Sequence, residues 1–230
     1  MKTSLPRRLL AEFIGTAALL AVIVGSRHMG EMLAQGNTAV ALLANSTATG
    51  LALYVLIIMI APISGAHFNP VVSLALALRR AIGWREVLAY VPVQIGGAIA
   101  GVVLAHLMFG LDPISLGVKV RAGPALWLSE TVATVGLLLT ILLGHRARPA
   151  QVPALVGAYI AAAYWFTAST AFANPAVTIA RSLTTTFAGI RPIDVPGFII
   201  AQLLGVALAL PLAAALIGHS TTASASKRLG

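Results

Sequence analysis

The sequence predicts an all-α membrane protein with six transmembrane helices plus two re-entrant half-helices, arranged as an inverted 3+3 repeat. Three observations carry this reading. Long apolar runs recur six times, the chain repeats its own motifs in two halves, and each half carries an Asn-Pro break followed by a short apolar segment.

The first observation rests on composition. Of 230 residues, 59% are hydrophobic and 9% charged, and the mean hydropathy is +0.95. A soluble domain has about a quarter of its residues charged. The apolar runs cover 9–24, 39–61, 88–109, 124–144, 152–170 and 195–217. Most approach or exceed the roughly 20 residues that cross about 30 Å of hydrocarbon. A secretory signal peptide is the rival reading of residues 1–25, but Glu12 inside the apolar stretch and a second copy of that stretch weigh against it.

A net charge of +9 would point to nucleic acid in a soluble protein, but here the basic residues lie between spans. With the N-terminus inside, the cytoplasmic side collects Lys2, Arg7, Arg8, Arg79, Arg80, Arg85, Arg146, Arg148, Lys227 and Arg228. The other side collects Arg27, Lys119, Arg121, Arg181 and Arg191. This bias predicts a multi-pass protein of the cell (inner or plasma) membrane with both termini cytoplasmic. The absence of Cys removes disulfides and thiolate metal sites.

The second observation is the repeat. "AEFIGTAALLAVI" at 11–23 resembles "SETVATVGLLLTI" at 129–141, which matches Glu12 to Glu130. "HFNPVVSLA" is echoed by "FANPAVTIA", matching Asn69 to Asn174, and "QIGGAIAG" by "QLLGVALA", matching Gln94 to Gln202. The offsets of 118, 105 and 108 residues are similar but unequal, as repeats with different loops give. The expected organisation is one channel domain over 1–230, with repeat one at about 7–109, repeat two at about 124–217 and a cytoplasmic tail at 218–230. Three spans per half make the second half enter the membrane in the opposite direction.

The third observation places the breaks. Asn69-Pro70 and Asn174-Pro175 fall between the second and third spans of each half, before "VVSLALALRR" and "AVTIARSL". These stretches are too short to span and too apolar for a surface loop, so they re-enter from one side, where protein or a water-filled cavity satisfies the irregular backbone. Asn is a favoured N-cap and Pro suits the first helical turn. Each Asn-Pro therefore starts a half-helix, and opposed topology brings the two positive ends together near the midplane. That arrangement opposes cations while the Asn amides donate to a passing oxygen.

The paired boxes, "SGAHFNP", the matched glutamates and the repeated Gln-containing third spans resemble the major intrinsic protein family of aquaporins and aquaglyceroporins, from Ala11 to Leu216. The resemblance implies a passive channel for water and small uncharged solutes, no catalytic residues, no cofactor, no metal and a homotetramer. It assigns the pore boxes to Asn69, Pro70 and Val71 and to Asn174, Pro175 and Ala176. Val71 replaces the usual Ala, a modest crowding. It gives Glu12 and Glu130 the role of accepting hydrogen bonds from the re-entrant loops, against the default reading of a membrane carboxylate as an ion or proton site. His67 is a cytoplasmic-vestibule or core residue. His28, His106, His145 and His219 are scattered near span ends and form no ligand cluster. Gly15, Gly97, Gly101 and Gly205 sit where helices could cross closely.

In that family a ring of four positions on the extracellular side is narrowest. Counting from the two Asn residues gives Thr49, Ala162, Ala171 and Val177. Water-specific members typically carry an aromatic, a His and an Arg there, and glycerol-conducting members usually keep the Arg. Here all four are small and uncharged, which implies a wide, Arg-free filter passing glycerol-like polyols, urea-like amides and neutral metalloid acids such as arsenous acid. Some bacterial members linked to arsenic handling likewise lack the Arg. Arg181, four residues past Val177, is a candidate for the extracellular vestibule. The alternative is a secondary transporter, for which Glu12 and Glu130 would be the coupling-ion ligands. A scaffold or adhesion role has no support in the short loops and the small polar tail, and nothing resembles an enzyme motif.

Overall fold

A computed structural model describes residues 3–218. Lys2, His219, Lys227, Arg228 and the expected tail beyond Gly218 lie outside the described residues. Among the described residues there are eight α-helices: α1 Leu5–Leu33, α2 Thr38–Ser64, α3 Pro70–Leu78, α4 Trp84–Met108, α5 Pro124–Ala147, α6 Val152–Phe166, α7 Pro175–Ala180 and α8 Val195–Ile217. Short α3 and α7 fall where the Asn-Pro breaks predict half-helices, each with Asn at the N-cap and Pro at the first helical position.

Two departures from the expected bounds bear on the architecture. The first apolar run stops at 24, yet α1 continues to Leu33. Its polar continuation is absorbed within the bundle: Asn45 Nδ2 on α2 donates to the Ile23 carbonyl at 2.9 Å and to Ser26 Oγ at 2.9 Å, and Arg27 is buried. The fifth span ends early. Among the described residues five helices are long and apolar enough to cross a membrane, and α6, at 15 residues, falls short of that length. A 3-10 turn, Pro149–Gln151, runs directly into it, and together they rise about 28 Å at roughly 1.5 Å per α-residue and 2.0 Å per 3-10 residue. Beyond Phe166 the chain leaves helix at Thr167 and goes into a loop held from below.

The packing is paired. α1 lies against α2 and α4, α5 lies against α6 and α8, and α2 meets α6 across the halves. Arg8 near the start of α1 pairs with Glu86 near the start of α4, so these two helices begin at the same end of the bundle. The backbone N–H of Arg121, ahead of α5, donates to Asp194 ahead of α8, so those two begin together as well. That second pair starts at the end where α1 finishes, since Arg27 and Lys119 both contact the Phe187 ring. The halves thus run in opposite directions.

Glycine sets the closest crossings. A Cβ on Gly101 of α4 would overlap the Ala17 carbonyl oxygen of α1, and one on Gly157 of α6 would overlap the Gly50 carbonyl oxygen of α2. Gly97 meets Phe13 in the same way, whereas Gly15 makes room for the Phe68 ring. Gly101→Leu is therefore expected to force α1 and α4 apart and destabilise the protein by about 1–3 kcal/mol or more, read as a lowered melting temperature in detergent. Gly110→Ala, on an open turn with nothing near its Cβ position, serves as a comparison whose melting temperature should fall much less.

Candidate pore

The two loops ahead of α3 and α7 are built alike. Non-glycine residues take positive φ at Ala66 (51°) and Phe68 (50°) in one loop, and at Thr170 (61°), Ala171 (45°) and Ala173 (45°) in the other. Such conformations are costly and persist only where surroundings over-determine them. Buried carboxylates supply that constraint. Glu12 Oε1 accepts from Ser64 Oγ at 2.6 Å and from the His67 N–H at 3.0 Å, and Oε2 accepts from the Phe68 N–H at 2.7 Å and Gln94 Nε2 at 2.9 Å. Glu130 accepts from the N–H groups of Phe172 and Ala173, both at 2.8 Å, and from Gln202 Nε2 at 2.7 Å.

Each glutamine reaches one step further, to the half-helix itself. Gln94 Nε2 lies 3.1 Å from Ser73 Oγ and Gln202 Nε2 lies 2.9 Å from Thr178 Oγ1. Ser73 and Thr178 each stand four residues after the Asn of their own half. This serine–threonine pair is a fourth repeat match beside the Glu, Asn and Gln pairs, signalled in the sequence only by the offset of 105 residues that it shares with the asparagines.

The asparagines join the halves. Asn69 Oδ1 caps α3 by accepting from the Val71 N–H at 3.0 Å, while Asn174 Oδ1 caps α7 through Ala176 at 2.9 Å and Val177 at 3.3 Å. Asn69 Nδ2 donates to the Ala173 carbonyl and Asn174 Nδ2 donates to the Phe68 carbonyl, both at 2.8 Å. A primary amide has two N–H donors, so each Asn spends one across the junction and keeps one for the cavity it lines. Pro70, Pro175, Val71 and Ala176 are buried behind this junction, and Val71 is accommodated at 1% exposure.

A cavity of about 170 Å³ passes this junction. One wall is apolar, with Leu19, Ile23, Leu53 and Ile57 from the first half and Leu137 and Ile141 from the second. His145 and Pro149 line one end, Thr49, Tyr164, Val177 and Arg181 the other. His67 also lines it, its Nδ1 2.9 Å from Ser73 Oγ and its ring edge-on to Tyr90.

Three of the four ring positions, Thr49, Ala171 and Val177, line the cavity together. Ala162 does not. It is exposed on the outer face of α6, whose lining stripe is Val156, Ile160 and Tyr164 at four-residue spacing. Ala162 lies two residues off that stripe, about 200° around the helix. The ungapped count back from Asn174 thus lands off the lining stripe. Tyr164, on the stripe, lines the cavity with its hydroxyl 3.4 Å from Thr49 Oγ1.

The four counted positions carry no arginine, but the cavity has one nearby. Position 177 does carry the isopropyl group, yet Arg181 lines the same cavity one turn on. It is 3% exposed, its Nε donates to the Ala188 carbonyl, and its guanidinium sits 3.5 Å from the centroid of Phe172. The i,i+4 spacing carries it onto the face that Val177 occupies.

A family model described as Major intrinsic protein matches residues 1–146. The chain is 57% identical over 208 residues to Aquaglyceroporin AqpS of Rhizobium meliloti (strain 1021), covering 90% of this chain and 89% of that protein. It is 31% identical over 168 residues to Probable aquaporin PIP2-8 of Oryza sativa subsp. japonica, covering 67% of this chain and 59% of that protein. In fold it is similar to the X-ray structure of the aquaglyceroporin from Plasmodium falciparum, with a TM-score of 0.69 over 91% of this chain and 94% of that chain at 18% identity. Two inverted halves clamped through paired asparagines, a family match over residues 1–146 and a sequence match over 90% of the chain settle the assignment: the chain belongs to the major intrinsic protein family.

Proposed function

We propose that this membrane channel passes small uncharged solutes, namely glycerol-like polyols, urea-like amides and neutral metalloid acids, with water as a companion. The observation that supports the reading is the division of the cavity wall. Apolar side chains from both halves line most of it, and a few polar groups complete it: the free Asn69 and Asn174 amide hydrogens, His67, Thr49, Tyr164 and, at the mouth, Arg181. A polyol can lay its carbons on the first and its hydroxyls along the second. Thr49, Ala171 and Val177 contribute only small neutral side chains at that mouth. Asn69, Pro70, Val71, Asn174, Pro175 and Ala176 form the central junction in this proposal, Thr49, Tyr164, Ala171, Val177 and Arg181 the selective mouth, and Glu12 and Glu130 the loop supports.

The transporter alternative asks those two glutamates to bind a coupling ion. Both are fully buried, and their oxygens are enclosed by loop N–H groups and a glutamine, so a transport cycle would have to break the loop to free them. The proposal also takes the chain as one channel domain, assembled as a homotetramer in the cell membrane with both termini cytoplasmic. Proteoliposomes carrying the full chain test the solute range. Stopped-flow light scattering should show glycerol and urea entry above protein-free vesicles, non-saturable with concentration, and a solute assay should show entry of arsenous acid. Water flux without any of these solutes overturns the solute range, and saturable, gradient-coupled uptake overturns the channel mechanism.

A further inference from the structure

Beside the mouth lies a second recess of about 440 Å³, lined by Arg27, Lys119, Arg121, Thr38, Thr170 and Phe187 among others. Its basic groups are unusual in what they lack. Arg27 is 3% exposed, makes no side-chain hydrogen bond among the described residues, and leaves its Nε without a partner. Its guanidinium rests 3.8 Å from the centroid of the Phe187 ring, and Lys119 Nζ lies 3.0 Å from the same centroid. Arg121 stands alongside, its guanidinium donors committed to the carbonyls of Gly189, Ser169 and Phe187 rather than to a carboxylate, with the Glu130 charge acting on it only from further off. Glu31, further along α1, is exposed and forms no ion pair with them among the described residues.

Burying an unpaired cation is expensive, and gathering several in one recess adds their mutual repulsion. A ring face offsets part of that cost for Arg27 and Lys119. The remainder calls for an anion with several acceptor oxygens, which a guanidinium fork and an ammonium group bind well. We infer that this recess is a binding site for a small tetrahedral oxyanion of the sulfate or phosphate class beside the pore mouth, with the Arg27 guanidinium and the Lys119 ammonium as its charged lining. Phe172 connects the recess to the pore: its ring carries Arg181 on the pore side and has Arg121 at 5.0 Å.

The site has a built-in pH dependence. Burial, then the charges of Arg121, Arg27 and Arg181, bring Lys119 down to about 7, with Glu31 opposing. Those four groups, from its own segment, from α1 and from the turn after α7, are the charges that bear on it. Below pH 7 the ammonium is present, and as pH rises through 7 it is lost. Sulfate keeps its charge across this range, so any pH dependence belongs to the protein.

The test is a calorimetric titration of sulfate against chloride at matched ionic strength, with the full chain in a non-ionic, phosphate-free detergent. One sulfate per chain is expected, bound more tightly at pH 6 than at pH 8. Arg27→Gln and Lys119→Gln should each weaken it at least tenfold, and Lys119→Gln should also flatten the pH dependence. Arg80→Gln, at the opposite end, should bind as the wild type does. A free anion and a lipid phosphate share this chemistry. If sulfate fails to bind, phospholipid retained by the wild type and lost from Arg27→Gln places a headgroup in the site. Equal sulfate affinity in wild type and both variants, or neither sulfate nor lipid bound, overturns the inference. The readout is binding rather than flux, so this site and the proposed solute range can fail separately.

Discussion

Glu130→Leu is expected to abolish recovery of folded protein, or to lower its melting temperature by at least about 10 °C. The substitution leaves the Phe172 and Ala173 N–H groups and the Gln202 amide without their acceptor, in a place no water of the bulk reaches. An unsatisfied buried donor costs about 1–3 kcal/mol, so three of them remove several kcal/mol from a total that is commonly about 5–15. For a chain of this size, each kcal/mol corresponds to roughly 2–4 °C. Glu130 holds the N–H of Ala173, whose φ is 45°, and Asn69 of the other half grips the Ala173 carbonyl. Losing the carboxylate therefore loosens both halves at once. Glu130→Gln keeps one acceptor oxygen and places a donor against an N–H, so it should fall between Leu and wild type. Glu12→Leu should be at least as damaging, since Glu12 accepts from four donors. A thermal melt by intrinsic fluorescence in detergent checks all three. If Glu130→Leu melts within about 2 °C of wild type, equivalent to less than about 1 kcal/mol, the loop is supported by something other than this carboxylate.

The same residues show why much of the architecture was legible. Glu12, Asn69, Gln94 and their partners in the second half are polar groups in lipid-facing composition, and each such group must find a partner. Finding them twice in the same order gives the fold, because a membrane leaves few ways to satisfy the same set in two opposed halves. The exact wall of the mouth was not legible in the same way. Its membership depends on helical phase at the end of α6 and on how many residues the following loop consumes, and neither is written in hydrophobicity: the run 152–170 looks uniformly apolar although α6 stops at Phe166. Two residues of phase separate exposed Ala162 from buried Tyr164. Arg181 was legible by spacing alone, four residues past Val177, but its rotation toward the cavity needed the turn after α7. The oxyanion recess could not be read from sequence at all, because Arg27, Lys119 and Arg121 are brought together by the ends of separate elements.

Arg181→Ala should raise the leak of potassium and protons through the channel on the order of a hundredfold while glycerol flux stays level or rises. Among the described residues Arg181 is the one arginine or lysine that lines the cavity, and Val177 one turn before it supplies no charge. A unit charge about 5 Å from a passing cation, at an effective dielectric of about 20, opposes it by about 3 kcal/mol. Each 1.4 kcal/mol is a factor of ten in rate or equilibrium, which sets the expected size. The converging ends of α3 and α7 remain in the variant and keep the barrier from vanishing. Charge has to be separated from packing, because Arg181 also holds the Ala188 carbonyl and covers Phe172. Arg181→Lys keeps the charge and loses the fork, so it should leak nearly as little as wild type if charge is the barrier. Arg181→Met keeps much of the bulk without the charge, and should leak like Ala. Proteoliposomes with an internal pH dye and a potassium-sensitive dye, run beside glycerol light scattering, read all three. A leak unchanged in Arg181→Ala would remove Arg181 from the selective mouth and leave the half-helix ends as the whole barrier to cations.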